Sequence, residues 1–397
     1  MTQRKVQLTS SSLNEFVQHV QFSEPIHELT LVGIHHDDGT RVPKEPPATR
    51  EELLELLTRG FTAIAQGDST CLTSLHLRID VGGSLRSGHR PKPKTELELR
   101  STSKSAWECT NDTFFLALQA LTASRLPVQS LNMFNDTDMK LFGLASDQLD
   151  TIDWDSPDVV HVFSSLKTLS ANISTPVFAF RQTKGQNGNP DWLGRVTEWT
   201  GPQVRAEAEK ESNFDSLARL VQKCPRLEDF EYRWLGIPLP GLPDLKGFTF
   251  PGWKILHYLS QASNLPKLKR CTFRHQITRD SDVLEFIKRT KPTELFMGPM
   301  WLDLGKFKPI LDYCTTEEAS MEKVDFRGPL YQLEKPDLGQ VHFQQQEYDE
   351  DAECSAHLIR EGDGLRRPIY HHLDPQGFVK PGSTFCKVVG ESKAHMF

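Results

Sequence analysis

Long apolar runs are absent from this sequence of 397 residues. No window approaches the roughly 18 apolar residues that a transmembrane helix needs, and the first residues lack the apolar core of a secretory signal. These absences predict a cytoplasmic or nuclear protein without a membrane partner. Positive charge is also in deficit, because 46 lysines and arginines face 53 aspartates and glutamates, a formal charge of −7. A negative chain argues against nucleic acid as a general partner.

Cysteine is scarce, with 7 residues and no pair at the spacing of a zinc site or a redox motif. The sequence also lacks the phosphate-binding loop, the Gly-x-Gly-x-x-Gly turn, the His-Glu-x-x-His helix and the Gly-x-Ser-x-Gly elbow. The pairs His35-His36 and His371-His372 are interpreted as polar turn residues rather than metal ligands. We therefore predict no catalytic residues, no cofactor and no metal, which favours a protein that is not an enzyme.

One short pattern recurs along the chain. Two apolar residues stand three positions apart, and a third follows two positions later, which places the last two on one face of a strand. We call the middle residue of each copy its anchor. Full copies are Ile26/Leu29/Leu31, Leu72/Leu75/Leu77, Val128/Leu131/Met133, Leu227/Phe230/Tyr232, Leu268/Cys271/Phe273 and Met321/Val324/Phe326, with partial copies at Leu166/Leu169 and Leu295/Met297.

Amphipathic stretches alternate with these copies, and they predict helices. Thr49 and Glu52 have the spacing of a capping box. Prolines between helix and strand end the helices. The predicted helices span 49–66, 110–124, 212–223, 252–262, 280–289 and 306–314, and the prolines are Pro25, Pro127, Pro225, Pro266 and Pro292.

Alternating helices and strands predict an α/β fold with parallel strands and right-handed crossovers. We expect a right-handed βα solenoid, with parallel strands on the concave face and helices outside. An ordinary doubly wound α/β domain is the alternative. The solenoid is expected over residues 1–343, with loop insertions at 81–106, 175–212 and 236–252. Residues 344–397 are expected to form an acidic linker and a C-terminal tail or cap.

The segments Ser165–Leu169, Cys224–Phe230 and Leu265–Arg270 resemble the irregular leucine-rich-repeat region of fungal F-box-type proteins. The resemblance extends loosely over residues 10–330. It implies a leucine-rich-repeat-like solenoid that recognises the substrate of a ubiquitin ligase. No F-box is visible in the sequence, so the resemblance assigns no residue to docking the ligase's linker subunit, and that partner is not expected. The regular repeat has Asn or Cys three residues after its last apolar residue, where this chain has Ile34, Asp80, Asp136, Ser174, Leu235, Gln276 and Pro329.

Residues between the apolar positions of each strand are expected to face outward from the sheet. These are His76, Arg78, Asn132, Thr168, Ser170, Glu231, Arg233, Thr272, Arg274, Asp325 and Arg327. Arginine is enriched among residues that dominate protein interfaces. We predict a non-catalytic protein-interaction scaffold that binds a protein partner on the concave face through Arg78, Asn132, Arg233, Arg274 and Arg327. The alternatives are a degenerate structural relative without a partner and an enzyme of unrecognised class, whose catalytic groups converge from distant positions.

Overall fold

A computed structural model of the chain describes residues 2–22, 26–35, 48–67, 71–81, 96–135, 143–174, 206, 209–235, 251–334, 337–344 and 356–375. The chain divides into two compact units. Unit 1 is Met1–Leu227 with Leu239–Phe250, and unit 2 is Glu228–Pro238 with Pro251–Phe397. Both are mixed α/β, with strands that are mostly parallel. Within the described ranges, no helix combines the length and apolarity needed to cross a bilayer.

Unit 1 alternates strands and helices along the chain. Its strands are β1 (Thr2–Gln7), β2 (Ile26–His35), β3 (Ser74–Val81), β4 (Ser130–Met133), β5 (Leu144–Ala145) and β6 (Thr168–Ser174). Its helices are α1 (Ser10–Phe22), α2 (Arg50–Gln66), α3 (Glu96–Ser124), α4 (Ser146–Leu149), α5 (Pro157–Phe163) and α6 (Ser212–Gln222). The strands lie in the order β1-β2-β3-β4-β6, all parallel, and β5 pairs with β6.

Unit 2 holds two sheets. Its helices are α7 (Trp253–Gln261), α8 (Asp280–Thr290) and α9 (Phe307–Cys314). The first sheet has the order β7 (Asp229–Leu235), β8 (Arg270–Arg274), β10 (Glu294–Met297), β12 (Lys323–Phe326), β15 (Leu358–Glu361). The second has the order β16 (His371–Asp374), β14 (Gly339–Phe343), β13 (Leu330–Gln332), β11 (Met300–Leu304), β9 (Gln276–Arg279). Strands β14, β15 and β16 pair antiparallel, so the described part of the predicted tail contributes strands to both sheets.

The predicted anchors lie directly opposite one another on neighbouring strands, which confirms the strand repeat within each unit. All of them are buried, because the apolar side of each sheet packs into the core. In unit 1 the paired anchors run Leu29, Leu75, Leu131 and Leu169, and in unit 2 they run Phe230, Cys271, Leu295 and Val324.

Helix α2 shows why the sequence reading of helices succeeds. The Thr49 hydroxyl accepts a hydrogen bond from the Glu52 backbone N–H at 3.2 Å, so the Thr49 half of the predicted capping box forms. The Glu52 carboxylate accepts a hydrogen bond from the Ser10 hydroxyl at 2.6 Å. The apolar face of α2, including Leu57 and Phe61, is buried. A local cap and an apolar stripe therefore define this helix.

The predicted loop at 81–106 needs correction, because α3 already begins at Glu96 and residues 96–106 are helical. The segment opens with Glu96-Leu97-Glu98-Leu99-Arg100, five residues of high intrinsic helix propensity, although serines then alternate through it. Residues 82–95, and most of the predicted insertions 175–212 and 236–252 and of the linker after 344, lie outside the described residues. The second sheet of unit 2 was not predicted.

Candidate protein-binding face

The predicted site residues of unit 1 lie on separate strands. Arg78 on β3 is opposite Val32 on β2, and Asn132 on β4 is opposite Ser170 on β6. The Asn132 side-chain oxygen accepts a hydrogen bond from the Asn135 N–H at 2.8 Å, and the Asn135 amide donates to the Ser170 hydroxyl at 2.7 Å. Asn132 thus closes the turn after β4, which is a structural use of its side chain.

The predicted site residues of unit 2 come closer together. Arg233 on β7 lies directly opposite Arg274 on β8, so the two arginines start from neighbouring strands about 4.8 Å apart. Arg327 immediately follows β12, which is separated from β8 by β10. We call the surface formed by these arginines and their neighbours the arginine face. It consists of Glu231, Arg233, Arg274, Phe296, Asp325 and Arg327.

Arg274 has two partners on the arginine face. Its Nε lies 2.9 Å from the Glu231 carboxylate, and its guanidinium lies 5.0 Å from the centre of the Phe296 ring. A Cβ at Gly298 would lie 3.3 Å from the Arg274 Cγ, a tight contact, so the glycine gives this side chain room. The Arg274 charge is therefore partly matched by a carboxylate and by the face of an aromatic ring.

Arg327 has a complete partner. Its Nε lies 2.8 Å from one carboxylate oxygen of Asp325, and one of its terminal nitrogens lies 2.8 Å from the other oxygen. The Asp325 side chain is only 8 % exposed, whereas that of Arg327 is 56 % exposed. This two-point ion pair neutralises a buried carboxylate, so the Arg327 charge is balanced within the chain.

Arg233 is the most buried of the three, at only 9 % exposed, and neither its Nε nor that of Arg274 has a hydrogen-bond partner of good geometry among the described residues. Burial lowers the pKa of its guanidinium, the neighbouring Arg274 lowers it further, and Glu231 opposes the change. The arginine face holds three arginines against two carboxylates. One positive charge is therefore in excess on this face, and it lies beside a buried donor that lacks an acceptor.

His275 lies next to this pair, at the bend between β8 and β9, with a left-handed φ of 56°. Burial lowers the pKa of its imidazole to about 3, and the charges of Arg233 and Arg274 act in the same direction. The imidazole is neutral at neutral pH, so it adds nothing to the positive charge of the arginine face.

A row of charged residues precedes the arginine face on the same side of the sheet, and sequence reasoning missed it. Four of its five members come directly before a strand anchor, and the fifth pairs with one of these four. An alignment of the sequence copies would therefore have revealed most of the row. Arg270 Nε lies 3.0 Å from a Glu294 oxygen, and Lys323 pairs with Glu361. The row alternates in sign across five strands: Asp229, Arg270, Glu294, Lys323 and Glu361. Cross-strand pairs of this kind support the register of a sheet.

No cluster of three or more His, Cys, Asp or Glu residues that could hold a metal occurs among the described residues. His257 Nδ1 lies 2.8 Å from an Asp282 oxygen, but the nearby Ser260 hydroxyl donates to the His257 backbone carbonyl. That geometry directs the hydroxyl away from the imidazole and does not make a nucleophile–base pair.

Comparisons of the chain with protein-family models, with curated proteins and with solved structures find no match.

Proposed function

We propose that the chain is a non-catalytic protein-interaction scaffold, with the arginine face of unit 2 as its binding surface. The observation that carries this proposal is that Arg233 and Arg274 lie directly opposite each other on neighbouring strands, with the Glu231 carboxylate beside them. Like charges on directly opposite residues of adjacent strands are destabilising. A bound partner that brings a negative charge to this pair would offset that repulsion.

We also propose that the chain is a right-handed βα solenoid resembling irregular leucine-rich repeats, with strands on a concave face and helices outside. The in-register anchors and the strong preference for right-handed crossovers support it. The anchors Cys271, Leu295 and Val324 recur at spacings of 24 and 29 residues, within the usual length of such repeats. Gln276 stands where the regular repeat has Asn or Cys, and its buried amide donates to two backbone carbonyls.

The partner in this proposal is a protein of the cytoplasm or nucleus. The resemblance to F-box-type proteins implies substrate recognition, but without an F-box we propose binding that is independent of a ligase. Purified ligase linker subunit is expected not to bind the chain in a pull-down, and stable binding would contradict this part of the proposal. The charge of −7 supports a protein partner over nucleic acid.

Affinity purification from cells with quantitative mass spectrometry tests the binding surface. The bait is the full chain, the test variant is Arg233→Met with Arg274→Met, and the control is Lys288→Met with Lys308→Met. Both variants remove two positive charges, but the control lysines lie on α8 and α9. We expect partners captured by the wild type and the control to be lost from the test variant. Equal capture by all three chains would refute the arginine face as the binding surface.

A further inference from the structure

The hydrogen-bond donors that the arginine face presents limit the kind of chemical group that can bind there. A guanidinium offers only N–H donors, so a group that binds Arg233 and Arg274 must be oxygen-bearing or anionic. The chain already places one such group here, because the Glu231 carboxylate lies 2.9 Å from Arg274 Nε. One carboxylate thus serves two arginines on adjacent strands. A second carboxylate would give each guanidinium its own partner.

The charge balance of the face separates a carboxylate from a phosphate. Arg233, Arg274 and Arg327 outnumber Glu231 and Asp325 by one positive charge. A single carboxylate brings one negative charge and neutralises the face. A phosphate group brings nearly two at neutral pH and would leave excess negative charge beside Glu231. Charge complementarity therefore favours aspartate or glutamate.

Apolar side chains near the arginines indicate that the carboxylate belongs to a peptide. Phe296 lies beside Arg274 and is not fully buried. Ile359 on β15 is 52 % exposed. It lies directly opposite Asp325, which in turn lies opposite Phe296. Three strand spacings separate β8 from β15, about 14 Å at about 4.8 Å each. An extended peptide covers that span with about four residues at about 3.4 Å each.

We propose that the arginine face binds an extended acidic peptide, with an Asp or Glu carboxylate between Arg233 and Arg274 and an apolar side chain about four residues away on Ile359. This inference rests on the proposed scaffold function and specifies the chemistry of its partner. Arginine is enriched among the residues that carry most of the binding energy at interfaces.

A random 12-residue peptide library selected on the immobilised full chain tests the inference. Selected peptides are then labelled with fluorescein, and their affinities are measured by fluorescence polarisation. We expect them to share an acidic residue and an apolar residue about four positions apart. Changing that acid to its amide in the peptide should weaken binding about 10-fold to 100-fold, the usual effect of losing a charge-assisted hydrogen bond. This comparison requires no variant of the chain.

Variants of the chain complete the test. In Arg233→Met with Arg274→Met, the acid and amide forms of the peptide should bind with equal, weak affinity. The Lys288→Met with Lys308→Met control should bind like the wild type. Circular dichroism checks that each variant is folded.

The alternative outcomes are distinguishable. Selected peptides that lack an acid, yet still require the two arginines, would overturn the inference and leave the scaffold function standing. Peptides that bind the double arginine variant as well as the wild type, or failure to select any peptide, would count against both. Displacement of the peptide by inorganic phosphate at a concentration where free glutamate has no effect would assign the face to phosphate and overturn the carboxylate assignment.

Discussion

Replacing Arg233 by methionine should stabilise the protein. Methionine keeps an unbranched stem of similar length and removes the charge. The change abolishes an unsatisfied buried N–H and the repulsion from Arg274, and it loses only the attraction of Glu231. Replacing buried charged groups by apolar ones often stabilises proteins by about 1–4 kcal/mol. We expect a gain of about 1–3 kcal/mol, which raises Tm by roughly 2–4 °C for each kcal/mol in a domain of 150–250 residues.

Arg327→Met is the matched control, and its effect should have the opposite sign. Arg327 neutralises Asp325, whose side chain is 8 % exposed, so its loss leaves a buried carboxylate without its cation. We expect destabilisation of about 1–3 kcal/mol. Urea unfolding followed by tryptophan fluorescence measures both variants, and an unchanged m value shows that stability alone has changed. If Arg233→Met lowers stability as much as Arg327→Met, the claim that Arg233 is uncompensated is wrong.

The acid limb of the stability profile gives a second readout of Arg233. The pKa of His275 falls to about 3 in the folded chain, below its usual value of 6.5. The unfolded chain therefore takes up this proton first, and stability is lost as the pH falls from about 6.5 towards 3. Removing the Arg233 charge should raise the His275 pKa and make this loss smaller. Parallel acid limbs in wild type and Arg233→Met would contradict the coupling.

Three further predictions concern single interactions. Gln276→Leu should cost about 1–3 kcal/mol in urea unfolding, because its buried amide donates to two backbone carbonyls at 3.0 and 3.1 Å, and an unchanged midpoint would refute that role. Burial raises the pKa of the Cys314 thiol from 9.0 to about 12, so its contribution to stability is complete below about pH 9 and is lost as the pH rises towards 12. Cys314→Ala should therefore flatten the alkaline limb of the stability profile, and an identical limb would contradict this. The exposed Arg270–Glu294 pair should show a coupling of about 0.2–1 kcal/mol in a double-mutant cycle and less in 1 M NaCl, whereas a value above about 2 kcal/mol would be incompatible with a solvated pair.

Local patterns in the sequence determined the strand anchors and most of the helices. An apolar position that recurs in every copy is expected to be buried. Apolar residues spaced two apart indicate a strand, and a spacing of about 3.6 residues indicates a helix. Leu75 and Leu131 could therefore be identified as equivalent before their pairing was known. The outward positions of the strands followed from the same alternation, including the positions of the three arginines.

Short strands in the second sheet of unit 2 could not be predicted in this way. Strand β13 has three residues, all of them buried, so it carries no alternation of apolar and polar side chains. Strand β16 pairs antiparallel with β14, about 30 residues earlier, and β15 in the first sheet pairs in the same way with β12. Only long-range packing selects such pairings, because the local sequence contains no signal that separates them from a buried loop.

The arginine face shows most directly what tertiary structure decided. Arg233, Arg274 and Arg327 all follow the last apolar residue of a repeat, so the sequence treats them as equivalent. In the fold, Asp325 pairs with Arg327 in the same repeat, whereas Glu231, which also stands two residues before an arginine, lies 2.9 Å from Arg274 on the next strand. Arg233 is left as the most buried of the three. Burial and charge compensation depend on which side chains the neighbouring strands bring alongside, and a single repeat does not contain that information.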